Sequence, residues 1–137
     1  MNMIATDNLQ SQRLLRCGVS ADTADMSYQF IDECVNDTDK PICSTPKEQF
    51  DTIRGYGFGV SRIHITPAWS LSALLMKVLP HNISVDKYKY KGVTEYEVGC
   101  YFTGHRDKIA FNAPDPIEAC VQLIEWLTNN GYKLNEQ

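Results

Sequence analysis

Residues 82–114, NISVDKYKYKGVTEYEVGCYFTGHRDKIAFNAP, constrain the fold more than any other stretch. Three short runs alternate polar residues with aromatic or β-branched ones, and turn-forming residues separate them around Lys91-Gly92 and Thr103-Gly104. The pattern predicts three antiparallel strands joined as a meander. With Lys91, Gly92 and Val93 as a three-residue loop, Lys89 faces Glu95, Lys87 faces Glu97 and Tyr88 faces Tyr96. That register gathers the charges on one face and sets Tyr88, Tyr90, Tyr96, Val98, Cys100 and Phe102 on the other. KYKYK then reads as a solvated lysine face and a buried tyrosine face, rather than as phosphate-binding lysines between base-stacking tyrosines.

Two helical patterns flank the strands. ITPAWSLSALLMKVLP predicts a helix over 67–79, with Thr66 as cap, Pro67 at the first helical position and Pro80 after the end. Leu71, Leu74, Leu75, Val78 and Leu79 give it a broad apolar face. DPIEACVQLIEWLTNNGY predicts a second helix over 115–130, in which Asp115 caps, Pro116 starts, Glu118 completes a capping box and Gly131 stops the helix. Ile117, Cys120, Val121, Ile124 and Leu127 form its core stripe. The expected architecture is α+β: a three- to four-stranded antiparallel meander, with residues 58–65 as the fourth strand, packed on its Tyr-rich face by these two main helices.

N-terminal helices are added to this unit. TDNLQSQRLLRCG offers Thr6 or Asp7 as cap, apolar Leu9, Leu14, Leu15 and Cys17, and Gly18 as the stop. SADTADMSYQFIDECV, with Ser20 and Asp22 as caps, spaces Met26, Phe30, Ile31, Cys34 and Val35 as a second helix. Residues 36–53 mix two prolines with Asp, Ser and Thr and read as a long or mobile loop. At 137 residues the whole chain, 1–137, is expected to form a single domain with a core of its own.

Bulk composition excludes several function classes. A formal charge of −4 weighs against a polyanion as main partner, because counterion release needs a basic surface. The start, MNMIATDNLQ, lacks the basic and apolar regions of a signal peptide, and no run approaches the roughly 20 apolar residues of a membrane span. Cys17, Cys34, Cys43, Cys100 and Cys120 are odd in number and contain no C-x-x-C pair, as reduced thiols of a cytoplasm would be. His64, His81 and His105 are far apart, with none of the close pairs of a zinc site.

RGYGFGV, residues 54–60, matches the first five positions of the RNA-recognition signature K/R-G-F/Y-G/A-F. Gly59 stands where that strand needs its core valine, and Arg62 follows Ser61 where a second aromatic belongs. The N-terminal third also lacks the β-α-β unit the fold requires. A Gly-rich turn leading into a strand explains the run, which is not a phosphate loop either. Arg54, Tyr56, Phe58 and Arg62 are the residues that would carry nucleic-acid or nucleotide binding.

For catalysis, Ser70 and Ser72 sit on an apolar helix without a G-x-S-x-G elbow. Cys100 and His105 bracket a turn, but Cys100 belongs to the apolar strand face, where thiols are inert. Asp107 and Asp115 read as turn and cap residues. No catalytic, cofactor or metal constellation is readable.

Three stretches, QSQRLLRCGVSADTADM (10–26), PAWSLSALLMKVLP (67–80) and EWLTNNGY (125–132), resemble a group of small proteins of gut Bacteroidales and of their phages and mobile elements, a group with no assigned activity. The resemblance implies a small accessory protein encoded by a phage or mobile element. Two function classes follow: a non-enzymatic protein acting through protein–protein contact, a second copy of the chain included among its partners, or a nucleic-acid binder using the RGYGF segment.

Overall fold

The computed structural model describes residues 4–31, 45–47, 63–101 and 108–135, with backbone alone at 29–31 and 63–64. Helix α1 (Asn8–Arg16) starts at Asp7, whose carboxylate accepts from Gln10 N at 2.7 Å while the Gln10 side chain accepts from Asp7 N at 3.0 Å. This reciprocal capping satisfies two of the amides a helix start leaves unpaired. The helix ends at Gly18, whose φ of 88° is the left-handed conformation expected of a stop residue. Leu14 is buried, whereas Leu9, expected on the apolar face, is 68% exposed.

Over the described residues the expected second N-terminal helix is replaced by a turn and a strand. Ser20 caps only a 3₁₀ turn, Ala21–Thr23, and the chain then extends as β1 (Met26–Ile31). Met26 and Tyr28 alternate as well as Met26 and Phe30 recur at helical spacing; pairing with β2 (Ile63–Ala68) and burial against Ala5 and Ala68 decide for the strand. Cys34 and Val35 lie outside the described residues.

β2 corrects two further expectations. It pairs antiparallel with β1, Met26 opposite Ala68 and Ile31 opposite Ile63, so the strand expected over 58–65 does not widen the meander; its residues 58–62 lie outside the described part. Thr66 and Pro67 are strand residues rather than a cap and a helix start. Pro67 is tolerated because, among the described residues, β2 pairs with one strand only, leaving an edge where a missing N–H costs nothing. Ser70 is the cap instead, its hydroxyl accepting from Ala73 N at 3.1 Å. Helix α2 begins as an α-turn, Leu71–Ala73, and continues as a π-turn, Leu74–Val78, closed by Leu79 N donating to Leu74 O at 2.8 Å.

Strands β3 (Ile83–Tyr90), β4 (Val93–Cys100) and β5 (Ile109–Ala113) form the expected antiparallel meander in the order β3-β4-β5. Its register differs by one residue. Lys91 (φ 51°) and Gly92 (φ 79°) form a two-residue loop of the I′ kind, so Tyr90 faces Val93, Lys89 faces Thr94, Tyr88 faces Glu95 and Lys87 faces Tyr96. Because side chains alternate, one residue of slip exchanges faces. Ile83, Val85, Lys87 and Lys89 share a face with Tyr96, Val98 and Cys100; Asp86, Tyr88 and Tyr90 share the other with Glu95 and Glu97. The covered face is thus the Val98 side, and Tyr88 and Tyr90 are outside it. Phe102 and the turn at Thr103-Gly104 lie outside the described residues.

Helix α3 (Pro116–Asn129) matches its expected bounds, with Asp115 accepting from Ile117 N at 2.8 Å and Gly131 at φ 79°. It packs on β4 and β5. Ile117, Cys120, Val121, Ile124 and Leu127 are buried with Val98, Cys100 and Ala113, as are Leu74, Val78 and Leu79 of the α2 segment and Trp69. Each fully buried Val, Leu or Ile contributes about 1.5–3 kcal/mol, which is why this face rather than intrinsic propensity holds the helix. Of residues 36–53, only 45–47 are described.

Candidate functional site

The β3–β4 hairpin is the most exposed element of the described sheet. Among the described residues β3 is an edge strand: β4 is its one neighbour, with β5 on the far side of β4. α3 packs on β4 and β5, and of β3 only Ile83 joins the core beside it, while Val85, Lys87 and Lys89 are exposed. Val85 is 40% exposed, Tyr90 61% and Val93 54%. Tyr90 and Val93 stand directly opposite one another and form an apolar pair at the tip. A two-residue loop makes its flanking pair the hydrogen-bonded one, so Tyr90, Tyr88, Asp86 and Ser84 bond to β4. The amides and carbonyls of Val85, Lys87 and Lys89 therefore point outward.

Charge is segregated across the hairpin. On the outer face the Tyr88 hydroxyl donates to Glu95 Oε2 at 3.1 Å. Loss of solvation, then the Glu95 bond, raises the Tyr88 phenol above its ordinary pKa. Lys108 Nζ lies 3.4 Å from Glu97 Oε1 and 3.8 Å from Asp86 Oδ2. Loss of solvation lowers the Lys108 pKa, but the Glu97 contact outweighs it and the net direction is upward. The Lys108 stem crosses Gly99, where an added Cβ would come within 2.7 Å of Lys108 Cδ. On the other face Lys87 Nζ sits 5.9 Å from the centre of the Tyr96 ring, and at the loop Lys91 Nζ lies 5.4 Å from that of Tyr90. The cross-strand neighbours of Lys87 and Lys89 are Tyr96 and Thr94, so neither lysine faces a carboxylate of β4.

A second concave feature is a groove of about 800 Å³ where α1, α2 and α3 end, lined by Ser20, Asp22, Thr23, Lys77, Thr128 and Tyr132 among others. Asn135 ties the chain end to α2, its N donating to Val78 O at 2.9 Å and its side chain to Met76 O at 3.1 Å. Tyr132 stacks on Trp126 with ring centres 5.5 Å apart. Lys77, in the last turn of α2, is placed where a cation complements helix carbonyls.

Among the described residues, those weighed for catalysis are not brought together. The Ser70 hydroxyl donates to Asp25 Oδ2 while accepting from Ala73 N, a capping arrangement. Ser72 is exposed on α2. Cys100 is buried, and burial pushes its thiol up; burial likewise pushes Cys120 up to about 12. Both are therefore poor nucleophiles at neutral pH. His81, exposed, lines a small hollow of about 330 Å³ shared with Cys100 and Tyr132. His105, Asp107, Cys34, Cys43, Arg54, Tyr56, Phe58 and Arg62 lie outside the described residues, as does the His64 side chain. Asp115 acts as the α3 cap. Among the described residues no three His, Cys, Asp or Glu side chains gather as a metal site, and no helix is long and apolar enough to cross a membrane.

Glu118 does not serve the capping box expected of it. Arg13 Nη1 and Nη2 donate to its two oxygens at 2.8 and 3.3 Å, and Gln10 and Gln122 each donate at 2.9 Å. Arg13 also binds Glu125, and these carboxylates, Glu125 foremost, hold its guanidinium above the ordinary value. No local pattern could reveal this cluster, since its partners lie more than a hundred residues apart.

Comparison of the chain with family models, with curated proteins and with solved structures gives no significant match.

Proposed function

We propose that the chain is a non-enzymatic accessory protein of a phage or mobile element, acting in the cytoplasm of its bacterial host through contact with another protein. The observation that supports this reading is the exposed tip of the β3–β4 hairpin, where Tyr90 and Val93 stand opposite one another and present apolar surface. An apolar pair exposed at a hairpin tip is the kind of surface a partner covers. The net charge of −4 favours a protein partner over a nucleic acid.

Photo-cross-linking in bacterial cells tests the reading. A cross-linkable residue at Val93 is expected to yield a discrete adduct with another chain, while the same group at exposed Gln12 on α1 yields none. Absence of an adduct at Val93, or equal yields at both positions, overturns it.

A further inference from the structure

We propose that the free edge of β3 receives an extended segment of a partner protein that carries carboxylates at alternate positions, adding an antiparallel or parallel strand to the sheet. The proposal rests on the protein-contact reading and specifies its partner.

Backbone geometry supplies the first half of the argument. The N–H and C=O groups of Val85, Lys87 and Lys89 point away from β4, and the sheet has no further strand beyond β3 among the described residues. Such a row of outward groups is what strand addition uses for affinity, leaving specificity to every second side chain.

Charge supplies the second half. Lys87 and Lys89 are exposed on one face of the edge. The acids of the hairpin are committed elsewhere, Glu95 to Tyr88 and Glu97 and Asp86 to Lys108, all on the opposite face. Across β4 the two lysines meet Tyr96 and Thr94. The one side on which a cross-strand carboxylate can pair with them is the open side. A segment with Glu or Asp at alternate positions places its acids opposite Lys87 and Lys89.

The charges of β3, Asp86 as well as the two lysines, disfavour a second copy. Two-fold pairing of β3 with itself centred on Asp86 sets Asp86 against Asp86; centred on Lys87 it sets Lys87 against Lys87; centred on Tyr88 it sets Lys87 against Lys89. Centring on Val85 avoids this but leaves only residues 83–87 overlapping.

The test uses the full chain with two eight-residue peptides, one alternating Glu and Thr, the other alternating Lys and Thr, followed by amide NMR. The acidic peptide is expected to shift and protect the amides of Val85, Lys87 and Lys89, with binding weakened by salt. Lys87→Glu with Lys89→Glu is expected to weaken it by about tenfold or more, two cross-strand pairs having changed from attraction to repulsion. Lys87→Pro removes an outward N–H without touching the β3–β4 ladder and is expected to abolish binding while circular dichroism stays unchanged. Equal shifts from the basic peptide, shifts that map away from β3, or no shift at millimolar acidic peptide overturn the proposal. So does concentration-dependent dimerisation through β3, which assigns the edge to a second copy. If the peptides fail while cross-linking at Val93 succeeds, this inference falls and the protein-contact reading stands; if both fail, both fall.

Discussion

Arg13 on α1 and Glu118 in the first turn of α3 are joined by two parallel hydrogen bonds across 105 residues of chain. The same guanidinium reaches Glu125 two turns further along α3, so one cation spans two carboxylates on one helix face. Arg13→Ala leaves those carboxylates unneutralised in a partly buried site. We expect a loss of about 1–2 kcal/mol, read as a lower urea midpoint, with Arg13→Lys recovering part of it because one ammonium cannot reproduce the fork.

Acid should act on the same contact. Burial raises the Glu118 pKa, but bonds from Arg13, Gln10 and Gln122 outweigh it and hold the carboxyl below its reference value of 4.5. A group whose folded pKa is depressed contributes stability above its unfolded value and loses it as pH falls through the folded one. Urea midpoints are therefore expected to drop as pH falls below 4.5. Glu118→Gln, which cannot titrate, should show a shallower drop; an equally steep one would assign the acid sensitivity to other groups.

The hairpin register depends on Lys91 and Gly92 both holding positive φ. Gly92→Ala is expected to cost about 1–2 kcal/mol, since a Cβ disfavours that conformation even with open space around it. Lys91→Asn should raise the melting temperature, Asn-Gly being the preferred pair for this loop. Thermal unfolding followed by circular dichroism checks both.

Ser70 and Thr66 make opposite predictions about where α2 begins. Ser70→Ala removes the cap and the donor to Asp25, and should lower stability by about 1 kcal/mol or more. Thr66→Val, in a strand, should be nearly neutral. Comparable losses for the two substitutions would return the cap to Thr66.

How much was legible depended on whether the signal was local. Asp7, Gly18, Asp115, Pro116 and Gly131 mark the ends of α1 and α3 as read, because a cap or stop acts within one turn of its own chain. The α+β class and the three-strand meander were likewise readable from alternation and turns. Thr66 and Pro67 misled because the same two residues suit a helix start or an edge strand. The candidate surface is half visible in sequence: KYKYK alternates as a strand does, but the loop length that decides which of its faces is covered is not fixed by local pattern.

The sequence alone therefore determined the class of each strongly punctuated element, since capping, glycine conformation and side-chain period are properties of neighbouring residues. Only the tertiary structure decided that Met26–Ile31 is a strand, that Lys87 and Lys89 lie on the edge strand of the described meander, and that Arg13 meets Glu118. Each of those outcomes turns on burial or pairing with residues far along the chain, and a one-residue change of register is enough to exchange a strand's covered and exposed faces.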